Sequence, residues 1–194
     1  MRMLFLSLLL ALGLASVGPA TAGPLEDAIA AYQAGDYATA LKLWTPLAEQ
    51  GDAFAQGLLG LMYFNGEGVP QDYVEAVRWL RLSAEQGLAA AQFELGAMYE
   101  FGWGVPQDYV EAVRWLRLSA EQGNARAQSN LGAMYGNGEG VPQDYVQAHM
   151  WFNLAAAQGN ADAAKNRDIT AKMMTPAQIA EAQKLAREWI AAHP

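Results

Sequence analysis

Residues 69–87 read VPQDYVEAVRWLRLSAEQG; the same stretch returns unchanged at 105–123 and, with substitutions, as VPQDYVQAHMWFNLAAAQG at 141–159. Each start lies 36 residues after the last. A constant period of that length means a stack of repeats, because one such unit is too small to bury its own apolar face.

Between these stretches a second segment recurs: AQGLLGLMYFNGEG at 55–68, AQFELGAMYEFGWG at 91–104 and AQSNLGAMYGNGEG at 127–140. Leu59, Met62 and Tyr63 stand at i, i+3 and i+4, which is helix spacing, and Gly66 and Gly68 end that helix. Each unit is therefore two helices. The second starts at Asp72, Asp108 or Asp144, whose carboxylates can cap open backbone N–H groups. Glu75, Glu111 and Gln147 stand three residues on, at capping-box spacing. Pro70, Pro106 and Pro142 keep the preceding loop out of helix. Full repeats are expected at 52–87, 88–123 and 124–159. Carried backwards, the register gives a degenerate first unit at 24–51. Past Gly159 it decays into an incomplete unit and an amphipathic capping helix over about 176–192, with Ile179, Ala182, Leu185, Ala186 and Trp189 on its apolar stripe.

Residues 1–22 have the form of a signal peptide cleaved after Ala22. Arg2 precedes an apolar run, Met3 to Ala15, shorter than the roughly 18 residues a membrane span needs, and Ala20 and Ala22 supply the small residues of a cleavage site. The mature chain, 23–194, is then one exported domain, periplasmic or extracellular, with no membrane insertion after cleavage. It has no Cys, and its 11 Lys+Arg against 20 Asp+Glu give a formal charge of −9. That sign argues against nucleic acid and anionic lipid as ligands.

The pattern A-x-x-x-L-G-x-M-Y-x-x-G-x-G-V-x-x-D-Y-x-x-A-x-x-W-x-x-x-A-x-x-G closely resembles the Sel1-like repeat, a relative of the tetratricopeptide repeat, over about 36–174. The resemblance implies an all-α, right-handed solenoid of antiparallel helix pairs. It also implies an adaptor role, with exported bacterial members acting in envelope regulation, adhesion, secretion and host contact. The chain lacks the paired Cys of the disulfide-stapled branch for which penicillin binding and β-lactam hydrolysis have been proposed.

Catalytic residues, metal ligands and cofactor motifs are absent from the sequence pattern. His149 stands where sister repeats have Val77 and Val113, and reads as a tolerated replacement on a helix surface or edge. Arg81–Glu85 and Arg117–Glu121 are at i,i+4 spacing and read as a solvated face.

Places that stay fixed among repeats should build the stack, so places that vary are free for recognition. In the first helices these are Phe54/Ala90/Arg126, Gly57/Phe93/Ser129, Leu61/Ala97/Ala133, Phe64/Glu100/Gly136 and Asn65/Phe101/Asn137, with Glu67/Trp103/Glu139 in the loop. Offsets of three and four put the helical ones on one face, which in the tetratricopeptide fold lines a concave, peptide-holding groove. The candidate contact residues are Trp103, Phe93, Phe101, Leu61, Phe64, Phe54, Arg126 and Asn137. Trp103 stands out, because a Trp between two glycines where both sisters carry Glu has no evident structural need. The leading expectation is a monomeric, non-enzymatic scaffold that binds a protein or peptide partner. The alternatives are a β-lactam or peptidoglycan-fragment hydrolase and a self-associating structural component of the envelope.

Overall fold

The computed structural model describes residues 23–193; the segment read as a signal peptide lies outside them. The described residues form ten α-helices and no strand: α1 (Pro24–Gln33), α2 (Tyr37–Glu49), α3 (Ala53–Asn65), α4 (Tyr73–Glu85), α5 (Ala89–Phe101), α6 (Tyr109–Glu121), α7 (Ala125–Asn137), α8 (Tyr145–Ala157), α9 (Ala161–Ala171) and α10 (Pro176–Ala192). They fall into two compact units, one ending at Pro106 and one starting at Gln107.

In the first unit α3 and α4 run antiparallel, as their contacts show. The Ser83 hydroxyl donates to the Ala53 carbonyl at 2.6 Å, Gly60 lies against Leu80 and Ala76, and Phe64 meets Tyr73 with ring centroids 5.2 Å apart. Moving forward along α3 thus means moving backward along α4. Gly60 permits the approach: a Cβ there would sit 2.7 Å from Leu80 Cγ and 3.1 Å from its backbone nitrogen, so a larger residue would force the helices apart at about 1–3 kcal/mol. In the second unit Gly132 lies against Phe152 and Gly136 against Ala148, the same antiparallel order for α7 and α8.

One amide fixes successive pairs. Gln56 Nε2 donates to the Ala48 carbonyl at 3.0 Å, and Gln92 to Ala84 at 3.1 Å. In the second unit Gln128 donates to Ala120 at 3.2 Å. Each of these glutamines is buried. Each reaches the carbonyl end of the preceding second helix, whose last carbonyls lack helical partners. A buried amide is tolerated only when bonded, which is why this Gln does not vary. A second amide, Gln71 or Gln143, ties the loop down on the carbonyl of Phe64 or Gly136, each at 2.8 Å.

The helix starts differ in one detail from the sequence reading. Asp72, Asp108 and Asp144 do cap, each accepting from the N–H groups two and three residues on. The capping box, however, does not close at Asp72 and Asp144, because the backbone N–H of each is taken by the carbonyl of Tyr63 or Tyr135 at 2.9 Å. Glu75 and Glu111 turn instead to Arg78 and Arg114 at i+3, at 2.8 and 2.9 Å. Arg81 and Arg117 likewise do not pair with the Glu four residues on: each donates to the Tyr99 or Tyr135 hydroxyl at 2.6 Å. A full capping box forms at α10, where Thr175 and Gln178 bond reciprocally.

In α10, Ala182 and Ala186 are buried and the helix packs on α8, with the Trp189 edge against Trp151 at 6.4 Å.

Candidate interaction surface

The loop after α5 brings three of the eight candidates together. Gly104 has φ +72° and presses on Tyr73 so closely that a Cβ would come within 2.2 Å of the Tyr73 carbonyl oxygen. Only glycine fits such a place. That contact sets the preceding residue, Trp103, over the rings of the helix pair below. Its centroid is 5.3 Å from Phe64, 6.2 Å from Tyr73 and 4.8 Å from Phe101, on which it stacks at 28°.

Trp103 therefore has the structural role that the sequence did not reveal: it covers Phe64 and Tyr73. It remains 36% exposed, and Phe101 is 54% exposed. Tyr73 is the member of this group outside the candidates drawn from the sequence, because it recurs as Tyr109 and Tyr145 and a place that stays fixed reads as part of the stack. Its signal was the fixed Gly one repeat ahead, Gly104, which needs a close neighbour.

The other candidates separate. Leu61 and Phe93 are buried, as is Phe64 beneath Trp103, with Leu61 among Leu58, Leu59 and Trp44, so these three offer packing rather than a contact surface. Phe54 is half-buried. In the second unit Arg126 is half-buried and Asn137 exposed.

At the places of Phe101 and Trp103 both sister repeats hold a hydrogen-bonded polar pair. Asn65 Nδ2 donates to Glu67 Oε2 at 3.3 Å, and Asn137 Nδ2 to Glu139 Oε2 at 3.2 Å. The middle repeat replaces an amide–carboxylate hydrogen bond with a ring stack, which leaves a partly exposed aromatic ledge. Exposed rings in contact with one another are the kind of surface that anchors protein partners.

Little else suggests chemistry. His149 is buried to 3% exposure, so it is not the surface replacement expected from the sequence. Its Nδ1 has no hydrogen-bond partner. Burial holds the imidazole below its usual pKa; nearby Arg167 adds to this and Asp168 opposes it. Among the described residues no group of His, Cys, Asp and Glu could hold a metal ion, and no helix is long and apolar enough to cross a membrane.

The Sel1 repeat family model matches residues 30–52, 53–88, 89–124 and 125–160. A Sel1 repeat protein from Oxalobacter formigenes has a similar crystal structure: TM-score 0.72 and 35% identity, over 75% of this chain and 60% of that one. Another is c5321, a protective antigen present in uropathogenic Escherichia coli strains displaying an SLR fold, with TM-score 0.61 and 31% identity over 84% of this chain and 45% of that one. The chain thus spans less than two thirds of either. No curated protein matches it.

The chain belongs to the Sel1 repeat family, a class of helical-repeat solenoids. Sel1 repeat proteins generally serve as protein–protein interaction scaffolds, and their fold is typically non-enzymatic.

Proposed function

We propose that this chain is an exported, non-enzymatic scaffold that binds a protein or peptide partner through the groove-side surface of its middle repeat, with Phe101 and Trp103 as anchors. The observation that carries this reading is the exchange of the Asn–Glu pair of both sister repeats for a stacked, partly exposed Phe–Trp pair on the same backbone. Both rings stay partly exposed, at 54% and 36%, although Trp103 also covers Phe64 and Tyr73.

The test restores the sisters' pair in the full chain, Phe101→Asn with Trp103→Glu. Wild type and variant are used as baits on envelope and secreted fractions, and retained proteins are identified by mass spectrometry. A partner held by wild type should be lost from the variant, at about 2 kcal/mol or more, while far-UV circular dichroism keeps its helical signature. Retention of the same proteins by both folded baits would refute the assignment.

A further inference from the structure

The outer face of a second helix is open on α6 and closed on α8. On α6, Val110, Val113, Arg114, Arg117 and Leu118 are spaced to share one helix face. With Gly140 and Val141 of the following loop they line a groove of about 490 Å³. Val110 is 64% exposed and Leu118 38%. Thirty-six residues on, α8 presents Val146, His149, Met150, Asn153 and Leu154. There Met150 is 6% and Leu154 2% exposed, and the chain's own α10 lies alongside, with Trp189 and Ile190 beside Leu154.

The substitutions follow the cover. Met150 stands where α6 has Arg114, and Asn153 where it has Arg117. Burying a guanidinium under an apolar helix is costly without a charge partner, so buried Met150 replaces the cation there, while half-buried Asn153 accepts from the α9 guanidinium of Arg167 at 3.4 Å. On α6 both cations remain. Arg114 shares Glu111 at 2.9 Å, whereas Arg117 meets the neutral Tyr135 hydroxyl, and its cationic head faces no carboxylate at ion-pair distance among the described residues. Two cations on an apolar groove in a chain of net charge −8 call for an acidic complement.

We infer that the α6 face docks an amphipathic α-helix of a partner protein, its aliphatic residues seated on Val110 and Leu118 and its flanking Asp or Glu side chains against Arg114 and Arg117. The occupant is a helix because the equivalent face of this same chain takes one, and its flank is acidic because here the cations were kept. The other compact unit carries the same five residues on α4, namely Val74, Val77, Arg78, Arg81 and Leu82, with Val74 66% exposed, so each unit has its own copy. The α6 face is distinct from the Phe101–Trp103 ledge; the α4 copy adjoins it, since Gly104 lies against Tyr73 and Val74.

The probe is a fluorescent peptide of residues 175–193 with Lys184→Glu and Arg187→Glu, compared with its native-sequence counterpart by anisotropy against the full chain. The acidified peptide should bind about fivefold tighter than the native one, with the gap narrowing as salt rises. Val74→Glu with Val110→Glu should weaken it about tenfold or more while helicity is kept, since both side chains are exposed. The α8 residues placed on both faces (Arg78→Met, Arg81→Asn, Arg114→Met, Arg117→Asn) should remove the preference for the acidified peptide. The Phe101→Asn/Trp103→Glu chain should still bind the acidified peptide through its α6 face. Three results would each overturn the inference: no binding of either peptide to the folded chain, equal binding by the Val74→Glu/Val110→Glu chain, or sedimentation showing a dimer broken by those two substitutions, which would give the face to a second copy.

Discussion

The loops after α5 and α7 share a backbone and differ in what they show to solvent. Gly104 and Gly140 have φ of +72° and +69° and press on Tyr73 and Tyr109 in the same way. Yet one loop displays a stacked Phe–Trp pair and the other a hydrogen-bonded Asn–Glu pair. The scaffold is thus set by residues that touch the preceding repeat, and surface character by two positions that need not. Two variants test how complete that separation is, and a third probes a buried side chain of the helix that follows.

The largest effect should come from the scaffold side. Gly140→Ala forces a side chain into a left-handed backbone and puts a Cβ 2.1 Å from the Tyr109 carbonyl oxygen. It should cost about 2–4 kcal/mol in urea unfolding, and a cost near zero would mean that the loop is not anchored there.

Grafting the aromatic pair into the last full repeat, Asn137→Phe with Glu139→Trp, should move stability by no more than about 1 kcal/mol, because Asn137 is exposed and Glu139 only half-buried. If the middle repeat binds through its ledge, the graft should create a second, weaker site for the same partner, detectable as changed stoichiometry in calorimetry. A graft that unfolds the chain would show that the polar pair is structural.

The smallest effect concerns pH. Burial lowers the pKa of His149, so the folded state resists the proton that the unfolded state takes up below its ordinary value near 6.5. Stability from the neutral ring is therefore present above pH 6.5 and is lost as pH falls through the depressed folded value. His149→Val, the residue of the sister repeats, should flatten the fall of Tm between pH 7 and 5; an unchanged slope would assign the acid limb to carboxylates.

These contrasts also mark what the sequence made legible. Three readings of one register located the paired helices, and Pro176 with Thr175 located α10, because caps and breakers act within a few residues of themselves. Partner choice across elements was less visible. Arg81 and Arg117 have a Glu at i+4, but a tyrosine hydroxyl on the next first helix is nearer, and only the packing of that helix decides between them. His149 was misread although Val77 and Val113 at its sister places already marked an inner position. Trp103 differs from its sisters in sequence, but its contacts with Phe64 and Tyr73 depend on how one repeat's loop lands on the pair before it. Leu61 and Phe93 vary among repeats and are nonetheless buried, so variation alone does not locate surface.

Each of these loop contacts reaches back 31 residues: Gly68 to Tyr37, Gly104 to Tyr73, Gly140 to Tyr109. Because residues 69–87 and 105–123 are identical, excising 69–104 would join Gly68 to Val105 and leave the junction reading as it does now. The Gly68–Tyr37 and Gly140–Tyr109 partners would both survive the cut. What would vanish is Phe101 and Trp103, so the chain carries its exposed aromatic pair as a removable cassette between two seamless splice points.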